Sequence, residues 1–393
     1  MSTPENGKSV TEYNNDKTDQ LGKVHRSDAQ LDSRKAAPLL AAPPGMLRRT
    51  IATLDPGYFA LVMGSGIVSV GTDLLGFALI SRIILAVTIV GFAVLLTAYL
   101  ARAIWFWPWF VQSLRDPTTA MAYFTVVAGS NVLGIRLLMA GHQVLTIVLG
   151  AFASIVWLML TYGLPSFIIA SARRPILREI NGTWLIWVVA TQSLAISASG
   201  VAGVTKIEGL ASALPTLAVC LWSVGVMLYL ILIVIIFFRL LLVEVTPSEM
   251  GPAYWIAMGA TAISVRAAAG ILLLHGPHAV VIVNDMRPFL IGLSVVFWSF
   301  GSWWIPLLVL FGLWRYLLRG YSREYEPRLW SVVFPLGMYT VASFTLGSVA
   351  KLDFMTAIAR VWVWIGVFAW AGLLISMLLA LIKAKWRPQQ AAG

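Results

Sequence analysis

The chain has 393 residues, of which 59% are hydrophobic and only 11% charged, with a mean hydropathy of +0.84 and a formal charge of +11. A soluble domain carries roughly a quarter charged residues, so this balance excludes a soluble globular protein and indicates a polytopic membrane protein. The basic excess fits loop charges that orient membrane helices and gives no reason to expect a nucleic-acid partner. Cys220, the single cysteine, lies in an apolar run and excludes a disulfide framework or a cysteine metal site.

Residues 1–47 mix Asn, Asp, Lys, Ser and Gln with little apolar periodicity, which reads as a disordered cytoplasmic tail. The stretch AAPLLAAPPG within it is too short and too proline-rich for a signal-peptide core, so no cleavage is expected. Apolar stretches of about 20 residues then recur, at 56–75, 82–104, 118–140, 144–170, 182–201, 212–240, 253–274, 288–317, 329–347 and 357–382. They define an all-α membrane domain over 48–387, with 388–393 as a short C-terminal tail. The first span opens on TLDPGYF: Asp55 suits an N-cap, and Pro56 falls in a first turn where its missing N–H costs nothing.

Ten spans place both termini on one side. Arg48, Arg49, Arg102, Arg115, Arg173, Arg174, Arg178, Arg239, Arg315, Arg319, Arg323, Arg328, Lys383, Lys385 and Arg387 gather there. Arg82, Arg136, Lys206, Arg287, Lys351 and Arg360 fall on the other side. The positive-inside rule makes the first side cytoplasmic, as for a multi-pass protein of the cell membrane with both termini inside. Tryptophans near the span ends, such as Trp105, Trp187 and Trp303, read mostly as interfacial anchors.

Odd and even spans differ in kind. The odd ones carry small and polar residues: Gly64, Ser65 and Gly66 in the first, Ser130 and Asn131 in the third, Thr191 and Gln192 in the fifth, and Ser264 in the seventh. The even ones are longer, bulkier and more uniformly apolar, although the eighth, with Gly301 and Ser302, fits less well. Small residues let membrane helices approach closely, and hydroxyls and amides can line a wet path. Five helical hairpins with odd helices inside and even helices outside follow from this alternation. Whether the inner helices enclose a lumen or only pack tightly stays open at this point.

Arg266, in MGATAISVRAAAG, is the clearly intramembrane charge, about 18 Å along its helix from Tyr254 at 1.5 Å per residue. An arginine at such depth costs at least ~2.5–3.5 kcal/mol on insertion scales, so it must face a partner or water. It is either an anion contact in a pore or a structural charge that pairs or snorkels. Arg136 and Lys206, at the outer ends of odd spans, either form a positive vestibule or are solvated loop charges. In the ninth span, LWSVVFPLGMYTVASFTLG, Pro335 interrupts the helix directly after Phe334, and Gly337 and Thr340 follow on nearby turns.

Asp73, Glu208, Asp285 and Asp353 all fall at outer span ends, so the sequence offers no carboxylate relay across the membrane. A GxxxxGK[ST] loop, an HExxH motif and a serine–histidine–acid set are missing, so neither an enzyme nor a cofactor is expected. His275 and His278 have i,i+3 spacing, but Gly276 and Pro277 break a helix between them, and a hydrated loop is preferred to a metal pair.

The motifs DPGYFALVMGSGIVSVG, VAGSNVLGIRL, INGTWLIWVVATQS, YWIAMGATAIS, DMRPFL followed by WWIPLL, and VFPLGMYT occur in this order. Together they resemble the tellurite-resistance/dicarboxylate transporter family, which includes plant slow anion channels, bacterial tellurite-resistance proteins and a yeast malate permease. The likeness runs over roughly residues 50–385 and omits the N-terminal tail. It implies a homotrimer with one central pore per subunit, inner helices kinked by proline, and a phenylalanine before a proline on the ninth helix as the plug. That step matches Phe334-Pro335 here. The resemblance does not extend to Arg266, where relatives tend to be apolar.

Three functions compete on these residues. The first is an anion channel or facilitator passing small anions or organic carboxylates through a pore gated by Phe334. The alternative is a proton-coupled C4-dicarboxylate (malate-like) carrier or an exporter of tellurite or another oxyanion, with Arg266 on one carboxylate. The third, a non-conducting scaffold or membrane enzyme, predicts no flux and no effect of Phe334 or Arg266.

Overall fold

The structure is a computed structural model that describes residues 43, 45–170, 176–247, 249–275, 277–321 and 324–386, without the side chains of 277–282 and 384–386. The expected tail 1–47 lies outside the described residues except at its end, where the short helix Met46–Ala52 begins, and 388–393 lies outside them entirely. The chain falls into two compact units, Met1–Arg49 and Thr50–Gly393, and the second contains every helix long enough to cross a membrane.

Among the described residues ten such helices follow one another and no strand occurs. They are α1 (Pro56–Leu74), α2 (Ala78–Trp105), α3 (Pro117–Met139), α4 (Gln143–Ala170), α5 (Gly182–Ala202), α6 (Glu208–Leu242), α7 (Pro252–Leu272), α8 (Val283–Leu318), α9 (Pro327–Ala350) and α10 (Asp353–Lys383). Each odd helix includes a 3-10 turn in its first residues: Pro56–Phe59, Met121–Tyr123, Gly182–Leu185, Pro252–Trp255 and Pro327–Leu329. Short polar side chains before three of these starts take up orphan amides. Asp55 accepts from Gly57 N at 2.7 Å, Asp116 from Thr118 N at 3.1 Å and Asn181 from Thr183 N at 2.9 Å.

Odd and even helices occupy different layers. Between 78% and 94% of the apolar window of each odd helix is buried, against 11% to 50% for the even ones. α1 packs on α3, α3 on α5, α5 on α7, α7 on α9, and α9 returns to α1, so the odd helices close a ring. Every even helix packs against the odd helix before it in the chain and exposes large apolar side chains on its other side. The eighth span, ambiguous by composition, belongs to the outer layer.

Glycine permits the closest approaches in the ring. A Cβ at Gly182 would lie 2.3 Å from the Ala253 carbonyl oxygen, so the starts of α5 and α7 meet backbone to backbone. A Cβ at Gly259 would lie 2.9 Å from Cγ of Pro335, so α7 makes room for the proline ring of α9. Among the described residues of the inner helices, Pro335 is the one proline in a helix interior. The other helix-interior prolines, Pro165, Pro215, Pro288 and Pro306, are in the outer layer, where a bend needs no partner in the ring.

Candidate functional site

One side of each inner helix converges on a small central cavity of about 20 Å³, room for about one water molecule. α1 contributes Ile67 and Val70; α3 gives Asn131, Val132 and Ile135; α5 gives Ser193 and Ile196; α7 gives Arg266; α9 gives Met338 and Val341. Seven of these ten are apolar. The lining is therefore mostly apolar, with Asn131, Ser193 and Arg266 as its polar members.

Phe334 stands four and seven residues before Met338 and Val341, on the stripe of α9 that faces the cavity, one turn nearer the end where the odd helices begin. It is 1% exposed and belongs to the same core cluster as Met63, Ile67 and Val127. Pro335, next to it, rests against Gly259.

Of the polar residues singled out from sequence, Asn131 and Arg266 reach the cavity. The others are engaged elsewhere, many of them by tryptophans of the outer helices. Indole N–H groups donate from Trp157 on α4 to Thr191 at 2.9 Å and from Trp370 on α10 to Ser65 at 2.8 Å. Trp298 on α8 donates to Ser343 on α9 at 2.8 Å, and Trp222 on α6 to the Ser264 carbonyl at 3.1 Å. These indoles are joints between layers: a buried N–H in an apolar layer needs an acceptor. Gln192 donates to the Trp222 carbonyl at 3.1 Å and fills the gap left by Gly225.

The remaining small residues serve contacts within the ring. Gly64 meets Val333, Gly66 meets Val132, and Gly337 meets Ile67 and Val68. The Ser130 and Thr340 hydroxyls donate to carbonyls of their own helices. Lys206 is exposed in the loop after α5.

Arg136 is bound rather than free. Its guanidinium donates to Asp73 at 2.9 Å and to Ser69 and Ser81 at 2.9–3.1 Å, tying α3 to α1 and α2. The side chain is 5% exposed and its charge is balanced, so it is neither of the two things its place at a span end allowed, a free anion attractor or a solvated loop charge. Arg266 has no ion pair and no hydrogen bond among the described residues, and its guanidinium lies beside Gly270.

Sequence reasoning missed three further arginines by counting them as loop charges. Arg102, Arg239 and Arg315, at the ends of α2, α6 and α8, are all buried. Arg102 donates to the Leu54 and Trp109 carbonyls and to the Tyr123 hydroxyl. Arg239 donates to the Tyr254 hydroxyl at 2.7 Å and faces Glu249 at 3.5 Å. Arg315 donates to the Met250 carbonyl, faces Glu326 at 3.7 Å and lies over the Tyr321 ring. Arg239 and Arg315 line a recess of about 280 Å³ at the starts of the inner helices, together with Arg178, Arg328, Glu179, Glu249 and Glu326.

The apolar lining was legible only by helical spacing. Stepping four and seven residues from Phe334 reaches Met338 and Val341, and Asn131 leads by four to Ile135. Among the described residues no group of three His, Cys, Asp or Glu side chains is placed to hold a metal ion, and the His278 side chain lies outside them.

A family model described as voltage-dependent anion channel, SLAC1, matches residues 53–378. The uncharacterized transporter MJ0576 of Methanocaldococcus jannaschii is 26% identical over 337 residues, covering 83% of this chain and 92% of that protein. A second transporter of that organism, MJ0762, is 25% identical over 332 residues, 83% of this chain and 94% of its own. The uncharacterized membrane protein Rv1735c of Mycobacterium tuberculosis is 40% identical over 140 residues, 36% of this chain and 70% of that protein.

Proposed function

Because the chain belongs to the SLAC1 voltage-dependent anion channel family, we propose that it is an anion channel or facilitator whose path runs between the five inner helices and is closed by Phe334. One observation carries this reading: the Phe334 ring stands on the α9 stripe whose next two members, Met338 and Val341, line a cavity shared by all five inner helices. An apolar constriction closes a path by excluding water, and a rotamer change of one phenylalanine is a small event. In this reading Pro335, seated on Gly259, turns that ring toward the axis. The starts of the odd helices face the cytoplasm in this reading, by the excess of arginine there, and the protein acts in the cell membrane as a homotrimer.

The test is anion conductance in planar bilayers of the wild type beside Phe334→Ala, with chloride, nitrate and malate. Little current from the wild type and a large anion-selective current from the variant support the gate. Truncating a buried phenylalanine costs about 3–5 kcal/mol, so folding of the variant is checked first by gel filtration and melting. Silence from both proteins, with saturable and pH-dependent malate uptake into liposomes, would favour the carrier instead.

A further inference from the structure

We propose that Arg266 and Asn131 form an intramembrane binding site for one small monovalent anion, of chloride or nitrate size, and that Arg266 sets the charge selectivity of the path. The inference rests on the central-path reading above. Its starting point is a contrast among deep arginines: Arg102, Arg136, Arg239 and Arg315 each have protein partners, whereas Arg266 has none among the described residues. A guanidinium keeps its proton under all physiological conditions, so at this depth it needs an anion or water as its partner.

The second observation is an orphan acceptor in the same cavity. Asn131 Nδ2 donates to the Ser193 hydroxyl at 3.0 Å, and that hydroxyl itself donates to the Ala190 carbonyl at 2.7 Å. With that donation Ser193 accepts from Asn131, and Asn131 Oδ1 is buried without a partner. A cation and a bare acceptor share one small space. In the closed state one water that accepts from the guanidinium and donates to Asn131 Oδ1 satisfies both, and an anion with its water takes that place when the path widens.

The third observation is the space itself. A Cβ at position 270 would come within 2.9 Å of both Arg266 Nη1 and the Ser199 hydroxyl oxygen, so glycine there leaves the guanidinium its room. The cavity of about 20 Å³ admits one water-sized body in this closed state. A dicarboxylate dianion fits poorly, because its second charge would meet Asn131 Oδ1 or the apolar Ile67, Ile135 and Ile196.

The experiment uses Arg266→Gln, Arg266→Lys and Gly270→Ala, alone and combined with Phe334→Ala. In the conducting background, Arg266→Gln is expected to lower the chloride-to-potassium permeability ratio at least tenfold. It also turns a saturating dependence of conductance on chloride into a linear one, while Arg266→Lys retains most of the selectivity. Malate dianion at neutral pH should carry less than a tenth of the nitrate current. Unchanged selectivity and saturation in Arg266→Gln, with current present, would overturn the site and leave the central path standing.

Absence of current in Phe334→Ala alone would defeat the path reading instead, and binding is then read without flux. Nitrate in place of gluconate at constant ionic strength should raise the melting temperature of the detergent-solubilised wild type. Arg266→Gln should abolish this shift. Gly270→Ala, which keeps the charge but crowds the guanidinium, should weaken the anion dependence several-fold and decides the matter if Arg266→Gln does not fold. An anion-independent melting temperature in the wild type, or equal shifts in all variants, would mean that the cavity holds only water.

Discussion

The seam around Arg136 and the cavity around Arg266 put the same side chain to opposite uses. At the seam, the guanidinium joins three helices through Ser69, Asp73 and Ser81, and its charge is balanced within the protein. At the cavity, the guanidinium faces five helices, seven apolar side chains and an unpartnered amide oxygen. The difference teaches how to rank intramembrane charges: depth alone does not mark function, whereas depth without a partner does. Sequence left both residues as candidates for either an anion contact or a structural charge, and their hydrogen bonds separate them.

The largest expected effect tests that separation directly. Arg136→Leu leaves a carboxylate and two hydroxyls without their donor and should cost about 3 kcal/mol, the lower end for a broken buried pair, because the Asp73 side chain is 28% exposed. Arg266→Leu removes a charge with no protein partner and should be neutral or stabilising, by up to about 2.5 kcal/mol on insertion scales. Melting of both variants in one detergent, at low chloride, reads the two signs. An equal loss in Arg266→Leu would reveal a hidden protein partner and collapse the comparison.

Hydrogen bonds also explain what sequence could and could not disclose. The ten spans and their alternating character were legible, because length, hydropathy and the contrast of small against bulky residues are local properties. The destinations of the hydroxyls were not. An inner helix has neighbours on every side, and Ser65, Thr191 and Gln192 turn toward the outer layer, where indoles and carbonyls complete their hydrogen bonds. Selecting polar residues therefore passed over the true lining, which is mostly Ile, Val and Met. Arg102, Arg239 and Arg315 misled for another reason: a long side chain near a span end is free to fold back onto buried carbonyls, and sequence position does not say which way it turns.

A smaller effect sharpens the contrast between joints and lining. Ser65→Ala leaves the buried Trp370 indole N–H unpaired and should cost about 1 kcal/mol, as for interhelical bonds in other membrane proteins. In the conducting Phe334→Ala background it should leave anion selectivity unchanged, because Ser65 faces α10 rather than the cavity. A shifted reversal potential would place its hydroxyl on the path and weaken the division of roles.

The smallest effect concerns Arg239, an intermediate case with a partner that is close but partly solvated. Glu249 faces it at 3.5 Å with its side chain 43% exposed. The Glu249 carboxyl is held below its ordinary value of 4.5, first by the hydrogen bond from the Thr246 backbone N–H, with smaller help from the Thr246 hydroxyl and the charge of Arg239, against a partial desolvation. A depressed carboxylate pKa adds stability above the unfolded value, and that contribution disappears as pH falls through the folded one. The difference in melting temperature between wild type and Glu249→Gln should thus be present at neutral pH and shrink toward zero at the acid end, below the ordinary carboxylate range. Solvent at the carboxylate keeps it small. A difference independent of pH would assign Glu249 a packing role, and Arg239 would then join Arg102 as an arginine held mainly by neutral acceptors.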